Sequence, residues 1–210
     1  MLETLNSIDT DLFRWINGHR SDWLDPVMWS FSQSWSWAVV ITFVFIVMVW
    51  RYERRSWWLL LIGIALCFLF SDRVSVVCFK NVVCRMRPCH VLDNVNMYRT
   101  HCGGAYGFVS SHAANVFALA YFFVLRHRRA VAALPKAERH SHWHWILPVA
   151  IVGWALIVCY SRPYLGKHYP GDVICGAIVG VGMGALTFLL VDKIAQTYIL
   201  LKAKKEKNNN

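Results

Sequence analysis

Residues 161–172, Ser161-Arg162-Pro163-Tyr164-Leu165-Gly166-Lys167-His168-Tyr169-Pro170-Gly171-Asp172, form a polar stretch between two long apolar runs, Ile146 to Tyr160 and Val173 to about Val191. Runs of this kind approach the roughly 20 apolar residues that a helix needs to cross a bilayer, so the stretch reads as the connection between two membrane spans. Pro170 and Gly171 favour a turn and then a new helix, because proline is tolerated in a first helical turn and glycine bends freely. Asp172 falls in that first turn, close enough to His168 to accept its ring N–H. A histidine held in this way presents its other nitrogen unprotonated, as a general base or nucleophile requires. Alone, a His and an Asp four apart near a helix start are more often a structural hydrogen bond. What decides between the readings is what the rest of the chain places opposite them.

Working outward, the run after Asp172 contains Gly176, Gly180, Gly182 and Gly184, small residues that let helices approach closely. It ends in the basic tail LLKAKKEKNNN, residues 200–210, read as flexible and solvated. Before Ile146 lies the basic loop RHRRAVAALPKAERHSHWHW, and before that a span from Ser110 or Ser111 to Leu125. A further span begins at Trp57, is apolar to Phe70 and continues as SDRVSVVCFKNVVCRMRP. Asp72, Arg73 and Lys80 at its end would be costly against lipid, so they are expected to face the bundle interior or its polar mouth, with Asp72 and Arg73 as a buried pair. The span nearest the N-terminus runs from about Trp35 to Trp50 and is stopped by Arg51, Arg54 and Arg55. Residues 7–20 are too short to span and place Ile8, Leu12, Trp15 and Ile16 on one face, as an interfacial helix does. The expected fold is therefore all-α: one membrane-embedded domain over 1–210, with residues 1–30 as interfacial helix and entry and about five transmembrane helices. Residues 88–107 read as a loop.

The composition agrees. The chain is 57% hydrophobic and 16% charged, with 11 Trp and 12 Phe among 210 residues, a polytopic membrane composition. The acidic start MLETLNSIDTDLF has no basic region followed by an apolar core, so no signal peptide is expected. A formal charge of +10 raises the question of nucleic acid, but the basic residues lie in loops between spans and none is expected to bind it. With five spans, 13 of the 22 Lys and Arg fall on the side of the C-terminus. The positive-inside rule then puts that terminus in the cytoplasm and the N-terminus outside.

Three segments meet on the outer face of such a bundle. One supplies Lys80 and Arg87-Pro88, another Val109-Ser110-Ser111-His112 at a span start, and the third is the stretch quoted above. Lys80, Arg87 and Arg162 bring three fixed positive charges towards two histidines and an aspartate. That set meets the needs of phosphoryl transfer without a metal: cations for the equatorial oxygens, an in-line nucleophile and an acid for the leaving oxygen. Two helix starts, at Ser110 or Ser111 and at Pro170, add N–H groups that favour an anion.

Lys80, six residues, Arg87-Pro88; then Ser110-Ser111-His112; then Ser161-Arg162, five residues, His168, three residues, Asp172: this pattern resembles the three-part signature of the type-2 phosphatidic-acid phosphatase superfamily, in its membrane branch. The resemblance implies that His168 attacks phosphorus to give a phosphohistidine, that Asp172 orients it, and that His112 protonates the leaving oxygen and then activates water. It further implies that Lys80, Arg87, Arg162, Ser110 and the backbone of Ser111 hold the phosphate, with no metal or other cofactor. Val109 and Ser111 stand where the family usually has proline and glycine; at a helix N-terminus serine serves as well as glycine. The implied activity is hydrolysis of a phosphate or pyrophosphate on a membrane lipid. Undecaprenyl pyrophosphate is the first expectation, with lipid A, phosphatidylglycerophosphate and phosphatidate as alternatives. Two other readings are a non-catalytic lipid-binding or transport protein and a phosphotransferase to another lipid or sugar. The absence of a targeting peptide and the compact plan suit a bacterial inner membrane, with the site on the periplasmic face.

Other residues have plainer readings. Cys89 and Cys102 bracket the outer loop and favour a disulfide, with Cys84 as a competitor; Cys67, Cys78, Cys159 and Cys175 read as small buried hydrophobes. Trp35, Trp37, Trp50, Trp57, Trp58, Trp143 and Trp145 read as interfacial anchors. His140, His142 and His144 fit no strong metal-ligand spacing, and His90 and His101 read as loop histidines. Arg85 and Lys167 are balanced between headgroup contact and solvation.

Overall fold

A computed structural model describes residues 2–139 and 143–208. In chain order its helices are α1 (Leu2–Gly18), α2 (Leu24–Phe31), α3 (Ser34–Arg51), α4 (Trp57–Val74), a π-helical continuation (Ser75–Lys80), α5 (Asn81–Val83), α6 (Pro88–Val91), α7 (Ser111–Ala132), α8 (Lys136–Arg139), α9 (Trp143–Tyr164) and α10 (Pro170–Asn208). There is no strand among the described residues, only an isolated antiparallel bridge between Met86 and Tyr106.

Among the described residues, four stretches are long and apolar enough to cross a membrane: Ser34–Arg51, Trp57–Val83, His144–Tyr164 and Pro170–Asn208. The fifth helix of the bundle, α7, is more polar, because its last two turns carry Arg126, His127, Arg128 and Arg129. It occupies the centre, packed against α4, α9 and α10, so its neighbours shield it from lipid. Close approach to α10 depends on the glycine row. A Cβ at Gly176, Gly180 or Gly184 would lie 2.6, 2.4 or 2.5 Å from the carbonyl oxygens of Ser110, Ala114 and Ala118 on α7. Gly182, in the same run, has nothing within 4 Å. Only the four-residue row belongs to the interface, because four residues return a helix to nearly the same face.

The second span departs from a plain helix where its serines begin. Ser71 donates to the carbonyl of Cys67, Ser75 to that of Ser71 at 2.6 Å, and the wider π-helical turn starts at Ser75. Serine bonds back to the i−4 carbonyl commonly perturb a helix here. Ser71 and Ser75 take the buried positions, while Asp72 and Arg73 are exposed. The expected buried Asp72–Arg73 pair is therefore not formed, because the inward face of this turn belongs to the serines. Cys78 is likewise exposed, whereas Cys67 and Cys159 are buried.

α1 is amphipathic in a way the sequence anticipates only in part. Leu5, Ile8, Leu12 and Trp15 make an exposed apolar stripe, but Ile16 is buried with Phe13 on the opposite face. That second face packs on the ends of α9 and α10. Trp37 is a similar correction: Trp35, Trp50, Trp57 and Trp145 are exposed as interfacial anchors would be, but Trp37 is buried in the core. Residues 200–208, expected as a flexible tail, continue α10 as exposed helix. Cys89 and Cys102 are bridged, with Cα atoms 5.8 Å apart, and Cys84 is free.

Candidate active site

The site forms where the starts of α7 and α10 meet the end of α9. Ser110 caps α7 by accepting the Ala113 N–H at 3.5 Å, and its own N–H donates to the carbonyl of Asp172 at 2.9 Å. One residue thus fastens the two helix starts side by side. The N–H groups of Ser111 and His112 follow the cap and have no intrahelical acceptor, as for any first turn. Gly107 closes the approach: a Cβ there would sit 3.0 Å from Asp172 Oδ2 and 3.2 Å from Arg87 Cγ, so a side chain would push into the catalytic cluster.

The cations expected from the sequence do converge. Lys80 Nζ donates to Ser111 Oγ at 2.8 Å. Arg87 Nη1 donates to His168 Nε2 at 3.1 Å and to the Lys167 carbonyl at 3.3 Å. Arg162 is 2% exposed and donates to Ser32 Oγ. The Nε groups of Arg87 and Arg162 are buried without a partner, and among the described residues none of the three cations has a carboxylate within ion-pair distance. A buried guanidinium without a counter-charge is costly. The cluster is built to be completed by an anion.

His168 is buried, with Nε2 facing Arg87 and Nδ1 3.5 Å from Asp172 Oδ2. That separation is within ion-pair reach but beyond an ordinary hydrogen bond; catalytic contacts of this kind are often long before substrate binds. Since arginine can only donate, Nε2 carries the lone pair and Nδ1 the proton. Burial, then the charges of Arg162, Arg87 and Lys80, hold the His168 pKa well below its ordinary value, which keeps the ring neutral. Burial followed by Arg162 and Arg87 lowers Lys167 to about 8. His112 lies among the charges of Arg162, Lys167 and Arg87, its ring edge-on to Trp37 with centroids 4.9 Å apart.

Asp172 is shared. Its Oδ2 accepts the Tyr169 N–H at 3.1 Å and its Oδ1 accepts from Arg85 at 2.9 Å. Arg85 therefore serves as a strut: it also pairs with Asp9 at 2.7 Å, donates to Asn6 and lies over the Tyr169 ring. Asp9 in turn accepts the Gly171 N–H at the start of α10, at 2.7 Å. Lys167 is only partly buried beside the site. His90 contacts the Gly103 carbonyl and His101 is exposed in the loop. His140 and His142 lie outside the described residues.

Several residues that build the site were not singled out by sequence. Asp9 is one. Asn17 is another: it binds the carbonyls of Asn96 and Tyr164, both at 2.9 Å, and accepts the Asn96 N–H, tying α1, the outer loop and α9 together. Asp25 accepts from Tyr164 at 2.7 Å and from Arg20, setting α2 so that Ser32, just past its end, meets Arg162. For Asp9 and Asn17 the sequence signal is a polar row on the inner face of the amphipathic helix α1; Asp25 and Ser32, on and just past α2, carry no such signal.

A cluster of three cations around two histidines, one cation fully buried and none paired with a carboxylate among the described residues, lies at one end of a membrane helix bundle and fits a phosphate-handling membrane protein. The profile of the PAP2 superfamily matches residues 56–196. The chain is 31% identical over 198 residues to a lipid A 4'-phosphatase of Bacteroides thetaiotaomicron, covering 92% of this chain and 81% of that protein. It is 28% identical to a lipid A 4'-phosphatase of Porphyromonas gingivalis, covering 89% and 74%. The fold matches the crystal structure of a transmembrane PAP2-type phosphatidylglycerolphosphate phosphatase from Bacillus subtilis with a TM-score of 0.65, at 23% identity, covering 92% of this chain and 87% of that one. The chain belongs to the PAP2 superfamily. It is a multi-pass membrane lipid phosphatase.

Proposed function

We propose that the chain removes a phosphate monoester from a lipid A-type glycolipid, without a metal, at the outer face of a bacterial inner membrane. The observation that carries the phosphate chemistry is the pair of guanidiniums, buried Arg162 and half-buried Arg87, whose buried Nε groups lack partners. The choice of glycolipid rests on the two relatives named above. Undecaprenyl pyrophosphate, the first expectation from sequence, also presents a terminal phosphate, joined there by a phosphoanhydride, and is the second candidate.

In this reading Lys80, Arg87, Arg162 and the first N–H groups of α7 bind the phosphate oxygens, while Ser110 holds the helix start. His168 Nε2 attacks phosphorus, and the bond to the lipid oxygen breaks as His112 gives that oxygen a proton. The Nδ1 proton stays on His168, stabilised by Asp172. His112, now neutral, takes a proton from water as the water oxygen attacks phosphorus; the Nε2–P bond breaks and inorganic phosphate leaves. The apolar spans keep the acyl chains in the bilayer, so only the headgroup enters the pocket. The outer-face assignment rests on the asymmetry of basic residues, and the Cys89–Cys102 bridge suits an oxidising compartment.

The test is phosphate release by the detergent-solubilised protein with a chelator present, offering lipid A, undecaprenyl pyrophosphate, phosphatidylglycerophosphate and phosphatidate in parallel. Release from lipid A that survives the chelator is expected. Release only from another of these lipids would overturn the substrate assignment, and loss of activity to the chelator would overturn the metal-free chemistry.

A further inference from the structure

A cavity lies at the other end of the bundle, about 30 Å from the phosphate site by the rise along α10. There the turn between α3 and α4 meets the last turns of α7 and the middle of α10 around a cavity of about 470 Å³. Its charged lining is Arg55, Arg126, Arg129 and Lys202 against Glu53 and Asp192. Both carboxylates have a cationic partner, while Asp192 Oδ1 is buried without a hydrogen-bond partner. Glu53 accepts from Arg126 at 2.9 Å and from Ser56 at 3.0 Å, while Asp192 pairs with Arg129 and accepts from Gln196. Arg55 and Lys202 are left exposed at the rim with no carboxylate partner among the described residues.

The cavity is not isolated. It shares Trp58 and Tyr198 with a mostly apolar groove of about 540 Å³ between α4 and α10, lined by Leu66, Leu190, Ile194 and Leu201 together with Lys193 and Thr197. The two shared rings pack edge to face at 5.5 Å. An apolar groove that opens between these aromatics into a pocket with excess positive charge has the shape of a single amphiphile: a hydrocarbon chain in the groove and an anionic group at the mouth. A soluble anion would leave the groove unused, and a zwitterionic headgroup would leave the charge uncompensated.

We propose that this site holds an anionic phospholipid of the leaflet opposite the active site, its headgroup between Arg55 and Lys202 and one acyl chain along the α4–α10 groove. The site is a resident-lipid position and is independent of the substrate reading.

Native mass spectrometry of the full chain in detergent, with equal amounts of phosphatidylglycerol and phosphatidylcholine, tests it. Retention of phosphatidylglycerol over phosphatidylcholine by about tenfold is expected. The double variant Arg55→Gln/Lys202→Gln should lose that preference, and Thr197→Trp, which fills the groove without removing a charge, should lower retention of the lipid itself. Both variants leave the phosphate site untouched, so retained phosphatase activity reports that they are folded. Unchanged selectivity in the folded double variant would overturn the proposal. So would binding of glycerophosphoglycerol, the chain-free headgroup, as tightly as the intact lipid.

Discussion

Arg162 and Lys167 set opposite demands on the same pocket: one is fully enclosed, the other reaches its edge. With Lys167 lowered to about 8 by burial and by Arg162 and Arg87, its charge is present below that pH and lost above it. We propose Lys167 as a further headgroup contact beside Arg162 and Arg87; the free-enzyme profile of kcat/KM should then fall above about pH 8, and Lys167→Arg, which stays protonated, should carry activity further into the alkaline range. On the acid side His168 remains neutral well below its ordinary titration range, so loss of the nucleophile to protonation belongs below pH 6.5, the ordinary His value. Asp9 permits a sharper test of how the histidine is held. Replacing it by Asn removes one of the two carboxylates that fix Arg85, and kcat should fall about tenfold with KM little changed, since Asp9 touches neither phosphate nor lipid in this account. A change in KM alone, measured by steady-state kinetics, would place Asp9 in binding instead. That the two histidines, Asp172 and the three cations come together was legible because each motif is local, a few residues at fixed spacing. Asp9, Asn17 and Ser32 were not, because their partners stand 76 or more positions away and nothing short-range marks them.

At the scale of elements, the α7–α10 seam carries the site, because Ser110 joins the starts of both helices and the glycine row sets their separation. Gly180→Val would place its Cβ against the Ala114 carbonyl, where 2.4 Å is available, and should cost about 1–3 kcal/mol or more by overpacking. Gly182→Val, two residues on with open space around it, should leave the unfolding temperature nearly unchanged. Equal effects at the two positions in a thermal unfolding measurement would contradict this packing. The spans were legible as apolar runs, and the helix starts as Ser110 and Pro170. The orientation of their faces was not. Which of Ser71, Asp72 and Arg73 points inward depends on the π-helical turn that follows, and whether Trp37 anchors at the interface or packs on His112 depends on the tilt of a neighbouring helix. Periodicity identifies an amphipathic element; it does not say which of two usable faces finds a partner, as the two faces of α1 illustrate.

Across the whole molecule the division of labour is between ends. One end gathers α1, α2, the disulfide-closed loop and three helix termini around a cation cluster without counter-charges. The other holds the ion pairs Glu53 with Arg126 and Asp192 with Arg129, as the first holds Arg85 with Asp9 and Asp172 and Arg20 with Asp25 beside that cluster. The sequence shows an uneven distribution of Lys and Arg between loops, from which the orientation is proposed; the pairing within each end was not legible, because it depends on helices distant in sequence. The central claim is that His168 takes the phosphate from the lipid. Its most direct test is a rapid acid-free quench of the protein with lipid A labelled at its phosphate, followed by mapping of the label. Label on the peptide containing His168, absent from a folded His168→Ala variant that still binds the lipid, is the predicted result. Phosphate release by His168→Ala at the parent rate would contradict it.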